Sequence, residues 1–374
     1  RGRAHVFDFL VLAHCGWALL ALMNWGGVAQ GIESGGIYIV EFAGAYLLGR
    51  LYIRSYDDFA AMARAYVGLV LAMLVLTIPE ALTGIHILHD GISGAVGGPM
   101  APYIESRMGI ERTFGPFDHP ILYGVFSASS FSLAYFVIAK RQLMNLSGMG
   151  KVAGVVLATF MSASGGPYLV LMMQGFVCAW ERVLGTVQGR WAALFTLFAM
   201  AYIAIDLFSS KTPFHVFVNN FTFSKQSAYN RILIFEFGSA EVARYPIFGI
   251  GLGDWERPVW MSDSMDNFWL VTAVRYGLPA LFLLLALLLG LVWAVGQRKK
   301  LPVEWRRARH AWAFTLFGIT VAAATVHLWN ALFVLFLFLI GAGAWLLDAQ
   351  PQRKGRRIAR PSPKSTFKPA ARLF

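Results

Sequence analysis

Long apolar segments recur from one end of the chain to the other, and no other feature restricts the fold as strongly. A helix needs about 20 apolar residues to cross the hydrocarbon core of a bilayer. Ten segments approach or exceed that length, and a polar turn around His327 and Asn330 separates the last two. The segments are 5–24, 36–53, 64–83, 120–139, 151–165, 167–184, 191–208, 267–296, 311–327 and 329–347. Only 14% of the residues are charged, against about 25% in soluble domains, so the sequence predicts a polytopic membrane protein.

The spanning segments are predicted to be helical. A bilayer cannot satisfy exposed backbone groups, so only helices and closed barrels cross it. No stretch of the chain alternates with the two-residue period of a barrel strand. We therefore expect an all-α polytopic membrane protein with about ten transmembrane helices, in which residues 1–349 form a single transmembrane domain.

The basic residues are concentrated in one set of loops. Segment 297–310 has six Lys/Arg against one acid, and segment 350–374 has eight Lys/Arg and no acid. If ten helices alternate, both segments face the same side, as do the basic loops near 50–64, 140–151 and 182–190. Lys and Arg are enriched in cytoplasmic loops, so both termini are predicted to be cytoplasmic. This distribution accounts for the net charge of +12, and we expect no nucleic-acid partner.

Residues 350–374 are predicted to form a disordered basic tail, because they contain Pro, Lys and Ser and few apolar residues. Such a tail is expected to rest on anionic membrane lipid. The opposite face of the membrane carries two long loops, 84–119 and 209–266. Function is usually located where a rigid scaffold carries long loops, so a site is expected on this face.

One apolar segment begins with an acid and contains an arginine. It reads SMDNFWLVTAVRYGLPALFLLLALLLGLVWAV, with Asp266 and Asn267 near its start and Arg275 before Gly277 and Pro279. A charge at bilayer depth costs about 2.5–3.5 kcal/mol, so both charges need a function or a partner. Gly277 and Pro279 predict a short entry helix, a break and a main helix. Arg275 would lie at the break, where it contacts a ligand, a salt-bridge partner or the lipid headgroups.

The first long loop ends in ERTFGPFDHPILYG. A Gly-Pro pair and a His-Pro pair interrupt the chain just before a span, so Arg112, Asp118 and His119 are expected at the membrane surface. Two interpretations stay open. Either Asp118 or His119 caps the helix that starts at Pro120, or both belong with Arg112 to a binding site.

The second long loop is predicted to contain an amphipathic helix. Ser227 is expected to cap it, and it should end near Arg244, before Pro246. Its aromatic residues, Tyr229 among them, predict a face that lies in the membrane interface, with Arg231 at headgroup height. The GIGLGD sequence that follows is expected to be a tight turn and not a nucleotide-binding loop, because no helix follows it.

Several pieces of residues 105–296 together resemble the O-antigen ligase / O-antigen polymerase family of bacterial membrane glycosyltransferases, in particular its exopolysaccharide-polymerase relatives. They are GPFDHPILYG, the outer turn SASGGPYLVL, YNRILIFEFG with YPIFGIGLGDW, and DNFWLVTAVRYGLPAL. That family places its large periplasmic loop before its last three helices, and loop 209–266 has this place here. Its members commonly have two helices more than the ten predicted here, so we expect two more before Arg1.

The resemblance implies a chemistry. Enzymes of that family transfer a glycan from undecaprenyl diphosphate to an acceptor hydroxyl at the periplasmic face of the bacterial inner membrane, without a cofactor or a metal. Family arginines hold the diphosphate, and Arg231 matches the loop arginine. Asp266 stands where ligases have the histidine of a His-Asn pair, and Asn267 keeps the second position. In the outer turn, Gly165 stands where the family has an arginine after the serine. These departures favour a glycan polymerase or another relative over a lipid A-core ligase.

The residue chemistry is compatible with that function. Arginine offers forked donors to a diphosphate, and a carboxylate can take the proton of an acceptor hydroxyl. We therefore predict Asp266 and Asn267 as catalytic residues, while a role of Asp266 as a mere helix cap stays open. The predicted substrate-binding residues are Arg231, Arg275, Arg112, His119, Asp118 and Tyr229. The expected partners are the lipid-linked donor, an acceptor glycan, membrane lipid and proteins of polysaccharide assembly or export.

Two other classes remain open. A flippase or other transporter of lipid-linked glycans could use ionisable residues near the spans, such as His14 and Glu80, as a proton path. The chain has no visible repeat with paired broken helices, which speaks against a transporter. A nonenzymatic subunit of the assembly machinery would also fit the loss of the family histidine. Cys15 and Cys178 lie in apolar segments and are expected to be buried thiols, not a disulfide or a metal site.

Overall fold

The computed structural model describes residues 4–97, 104–107, 109–142, 144–221 and 225–349. These residues form helices joined by turns, with one isolated bridge between Arg107 and Ile110. The α-helices are α1 (Val6–Ile39), α2 (Ala45–Tyr52), α3 (Tyr56–Thr83), α4 (Ile87–Val96), α5 (Pro120–Ser129), α6 (Phe131–Leu133), α7 (Leu146–Met161), α8 (Gly165–Val183), α9 (Arg190–Phe208), α10 (Pro213–Phe221), α11 (Lys225–Arg244), α12 (Phe268–Gly296), α13 (Val303–Ala322), α14 (Ala331–Ala342) and α15 (Trp345–Asp348). Short π-helical turns, Val40–Gly44 and Ala134–Ile138, join α1 to α2 and extend α6.

Six helical stretches of the described chain are long and apolar enough to cross a membrane. They are Val6–Tyr52, Tyr56–Thr83, Pro120–Ile138, Arg190–Phe208, Phe268–Gly296 and Ala331–Asp348. The expected all-α, multi-pass membrane architecture is confirmed at this level. The number of ten spans stays a prediction, because α7 is only 16 residues long and neither α8 nor α13 is among the six.

The first stretch folds back on itself at Gly27. This glycine has φ +78°, which is outside the helical region, and the residues on either side of it meet in antiparallel order. His14 Nε2 lies 2.8 Å from the Tyr38 hydroxyl, and Tyr46 donates a 2.7 Å hydrogen bond to Asp8 Oδ1. Val6–Tyr52 therefore contains two antiparallel apolar helices, which correspond to the two predicted segments 5–24 and 36–53.

The break predicted in α12 is present at Gly277, where φ is +79°. A break in a helix leaves carbonyl groups without their i+4 partners, and Pro279 removes one more N–H. Here the loop that follows α11 supplies the partners. Ile250 N–H and Gly251 N–H donate to the carbonyls of Val274 and Arg275 at 2.8 and 2.9 Å.

The same loop fits closely against the break. Leu278 N–H donates to Pro246 O at 2.8 Å, and a Cβ on Gly277 would lie 1.9 Å from Ile247 O. A Cβ on Gly249 would lie 2.3 Å from Val274 O. The GIGLGD sequence does form a turn, as expected, and the turn is packed into the broken helix.

The two termini of the described chain lie at the same end of the bundle. His5 Nε2 is 3.1 Å from Asp348 Oδ1, and Arg50 reaches both Asp8 and Asp348. The other end carries the starts of α5, α8, α12 and α14 and the ends of α3, α7 and α13. We call it the site end, because the predicted site residues just before α5 and α12 lie there.

Some local predictions were wrong. Ser227 does not cap α11, because the helix already includes Lys225; its predicted end at Arg244 is confirmed. Segments 151–165 and 311–327 are shifted, since α7 covers Leu146–Met161 and α13 covers Val303–Ala322. The predicted disordered tail, 350–374, lies outside the described residues.

Candidate functional site

Arg112 is buried at the site end against the turn between α7 and α8. The residue is only 6% exposed. One terminal nitrogen of its guanidinium donates a 2.8 Å hydrogen bond to Ser164 Oγ. Its Nε lies 3.5 Å from the Ser162 carbonyl oxygen. Burial, and secondarily the charge of Arg107, lower the pKa of Arg112 to about 10, so the guanidinium remains charged at neutral pH.

The turn that receives Arg112 is built from small residues. Ala163 has φ +42°, Ser164 is the N-cap residue of α8, and Ser164 Oγ also donates to Ser162 O at 2.8 Å. A Cβ on Gly124 of α5 would lie 2.4 Å from Ser162 Oγ. The small residues of SASGGP thus allow two helices and a guanidinium to meet closely.

His119 caps α5 through Nδ1, as one of its two interpretations expected, and its role in substrate binding stays a prediction. That atom accepts a 3.1 Å hydrogen bond from Ile121 N–H. Burial, followed by the charges of Arg112 and Arg107, lowers the pKa of His119 to about 4. The imidazole is therefore neutral at pH 7 with its proton on Nε2, so His119 is a hydrogen-bond donor there and not a base.

Asp118 does not cap α5; its carboxylate binds a different element. Asp118 Oδ2 accepts a 2.8 Å hydrogen bond from Asn330 Nδ2. Asn330 ends the connection between α13 and α14, residues 323–330, which we call the connecting turn. The Asn330 backbone has φ +49°, a conformation that non-glycine residues rarely adopt.

The connecting turn also receives Arg231 of α11. Arg231 Nε donates to the carbonyl oxygen of Thr325 at 3.2 Å. Burial lowers the pKa of Arg231, the nearby Asp266 carboxylate opposes that shift, and Arg107 adds to it. Arg231 therefore lies in the same electrostatic neighbourhood as Arg107 and Asp266. Tyr229, by contrast, is 52% exposed, and its predicted role in substrate binding stays a prediction.

Asp266 and Asn267 have different roles at the start of α12. Asn267 is the N-cap residue, and its Oδ1 accepts a 3.1 Å hydrogen bond from Leu270 N–H. Asp266 accepts a 3.1 Å hydrogen bond from Ser264 Oγ and is half-buried. The capping role considered for Asp266 thus belongs to Asn267, and the Asp266 carboxylate stays available beside Arg231.

Arg275 is exposed on α12, immediately before the break, and its charge acts on His327 of the connecting turn. Burial and, next, Arg275 lower the pKa of His327 to about 4. The His327 ring stacks on Phe268 and Trp329, with centroid distances of 6.4 and 5.7 Å. Its Nδ1 is buried and has no hydrogen-bond partner among the described residues.

The predicted site residues thus meet from several parts of the sequence. Asp118 and Arg231 bind the connecting turn, Arg112 and His119 interact electrostatically, and Asp266 lies beside Arg231. Sequence reasoning did not assign the connecting turn to the site, although its polar residues interrupt an apolar block. It also gave Arg107 no role, although the charge of Arg107 lowers the pKa of both Arg112 and His119. Arg107 lies in a turn in which Gly109 has φ +73°.

The cluster is suited to anions, because Arg107, Arg112 and Arg231 act on one another electrostatically within it. No group of three or more His, Cys, Asp or Glu residues in the described part of the chain has an arrangement that could hold a metal ion. No protein-family model matches the chain, and no curated protein matches it. The fold defines a multi-pass helical membrane protein.

Proposed function

We propose that the chain is a membrane glycan polymerase or ligase. It transfers a glycan from undecaprenyl diphosphate to an acceptor sugar hydroxyl in exopolysaccharide or O-antigen assembly. In this proposal it resides in the bacterial inner membrane with about ten spans, and loops 84–119 and 209–266 are periplasmic. The resemblance of residues 105–296 to the O-antigen ligase / O-antigen polymerase family supports it.

The observation that carries the proposal is the environment of Arg112. Its guanidinium is buried and binds a hydroxyl and a carbonyl group, and no carboxylate of the described residues pairs with it. A buried charge without a counter-ion is strongly destabilising, so such a site is suited to an anionic ligand. Arg107 and Arg231 lie in the same neighbourhood. Forked, charge-assisted donors of this kind bind phosphate groups well.

The Asp266 carboxylate is the proposed general base. It lies beside Arg231 at the point where the loop enters α12, so a donor diphosphate on Arg231 would place the sugar anomeric carbon nearby. The acceptor hydroxyl would lose its proton to Asp266 as the new glycosidic bond forms. The diphosphate would leave as an anion held by the arginines.

The test is an in vitro reaction of the purified protein with lipid-linked repeat units. We expect glycans longer than one repeat unit, and undecaprenyl diphosphate as the second product, without added nucleotide. If the donor stays intact with every acceptor offered, the proposal is wrong. A flippase is distinguished in cells, because its loss leaves single lipid-linked units facing the cytoplasm, whereas loss of a polymerase leaves them on the outer face.

A further inference from the structure

Glu80 is a fully buried carboxylate at the site end of α3. Its relative exposure is 0%, and its Oε2 accepts hydrogen bonds from Phe114 N–H at 3.3 Å and Gly115 N–H at 3.0 Å. These two N–H groups belong to an irregular segment, in which Gly115 has φ +50°, so no helix supplies their acceptors. The carboxylate replaces the missing acceptors with charge-assisted hydrogen bonds.

The segment that Glu80 binds carries Arg112. On its other side, Thr113 donates to the Met161 carbonyl oxygen through both its backbone N–H, at 3.1 Å, and its hydroxyl, at 3.0 Å. Arg112 then reaches Ser164. The backbone next to Arg112 is thus fixed between α3 and the end of α7, and Glu80 provides the contacts on the α3 side.

The second oxygen of Glu80 is not used by the fold. Glu80 Oε1 is buried and has no hydrogen-bond partner among the described residues. The Phe114 ring packs against His86 at a centroid distance of 4.0 Å, and His86 Nδ1 lies 3.8 Å from Glu80 Oε2. A buried and half-satisfied carboxylate costs stability, so stability alone does not account for an acid at this position.

We propose that Glu80 is a positioning residue, which acts on anion binding through Arg112. It holds the 112–115 backbone so that the guanidinium stays on Ser164, next to the space where the diphosphate would bind. The inference rests on the proposed function, because it takes the donor diphosphate as the ligand of Arg112.

A double-mutant cycle tests this, with inorganic pyrophosphate as the probe and purified protein in nanodiscs. We expect Arg112→Ala and Glu80→Ala each to weaken pyrophosphate binding by roughly tenfold, because loss of a charge-assisted hydrogen bond is a large effect. The double variant should be no weaker than Arg112→Ala, since Glu80 has no effect once its target is gone. Glu80→Gln keeps an acceptor oxygen and should recover most of the affinity.

Two further variants exclude a general loss of folding. Glu181 is a buried carboxylate at the opposite end of the bundle, bound by Arg190 at 2.7 Å, and Glu181→Ala should leave pyrophosphate affinity unchanged. If Glu80→Ala does not fold, Glu80→Asp replaces it in the cycle, because it keeps the charge but withdraws the oxygens by one methylene.

The inference is overturned if Glu80→Ala, or Glu80→Asp in its place, binds pyrophosphate normally, or if the two losses multiply in the double variant. An absence of glycan transfer, together with intact pyrophosphate binding and a non-additive cycle, would instead reject the proposed function and leave the role of Glu80 in place.

Discussion

At the scale of single residues, the guanidinium groups of the site decide what it can bind. Arg231 donates a hydrogen bond to the Thr325 carbonyl oxygen, and the Asp266 carboxylate acts on its charge. Lysine would keep the charge but lose the planar fork that binds two phosphate oxygens at once. We expect Arg231→Lys to reduce transfer activity by about tenfold and Arg231→Ala to reduce it further, as the loss of a charge-assisted bidentate contact requires.

Arg244 on the same helix provides the matched control for Arg231. It is exposed and pairs with Glu241 and Glu256, so Arg244→Lys should have normal activity. Initial rates with the lipid-linked donor, at equal amounts of protein, give the comparison. Full activity in Arg231→Ala would remove this residue from the site.

Asp266 can be tested without disturbing the helix that follows it, because Asn267 already caps α12. Asn at position 266 keeps the shape but cannot accept a proton. Since a general base typically contributes about 10²–10⁴-fold to the rate, Asp266→Asn should lower kcat by that order while donor binding persists. Asp263, exposed in the same loop, is the control. Wild-type turnover in Asp266→Asn would exclude it as the base and make Asp118, another predicted carboxylate of the site, the next candidate.

His119 predicts a dependence of stability on pH. Its pKa of about 4 in the folded protein lies below the ordinary 6.5, so the unfolded chain binds the proton more tightly. The stabilisation is therefore complete above pH 6.5 and is lost as the pH falls towards 4. Asn caps helices well and does not titrate, so His119→Asn should make the fall of Tm across this range shallower, while His327 keeps its own contribution. An unchanged pH profile would contradict the burial of a neutral His119.

At the scale of elements, the broken helix α12 and the 246–251 loop form one unit. Gly277 has φ +79°, and its missing Cβ leaves space for the Ile247 carbonyl. Gly277→Ala adds backbone strain of about 1–3 kcal/mol as well as a steric clash, so we expect a clear fall of Tm and of activity. Gly296→Ala, at the end of the same helix, meets nothing within 4 Å and should be nearly neutral. A stable Gly277→Ala would disprove the close packing of the loop.

Sequence patterns predicted the break in α12 but not its partner. Gly277 and Pro279 indicate a helix break through local chemistry. The hydrogen bonds from Ile250 and Gly251 to the carbonyls before the break join residues far apart in sequence, and no local pattern encodes them. The bounds of α13 were misplaced for a related reason. Its first turns contain Arg306 and other charged residues, which an apolar window excludes although the helix continues through them.

At the scale of the whole molecule, the fold brings several predicted site residues to one end. Arg112 and Asp118 were predicted from their place just before a span, and Arg231 from its amphipathic loop helix and its match to a family arginine; neither kind of reasoning needs tertiary contacts. The roles of Asn330 and Thr325 could not be predicted, because they follow from which helix ends are neighbours in the bundle. For the same reason Ser164 could be placed in a turn, but its contact with Arg112 could not be foreseen.

The orientation of this bundle in the membrane is the last prediction. The end opposite the site carries Arg182, Arg298 and Arg309, and Lys and Arg are enriched on the cytoplasmic side. The site end should therefore face the periplasm, where a lipid-linked donor would meet its acceptor. Cys15 and Cys178 are buried, so a membrane-impermeant maleimide should report only on introduced cysteines. We expect Lys225→Cys to be labelled in intact cells and Lys300→Cys only after permeabilisation. The reverse pattern would show the opposite topology, with the anion site on the cytoplasmic side, where this reaction could not take place.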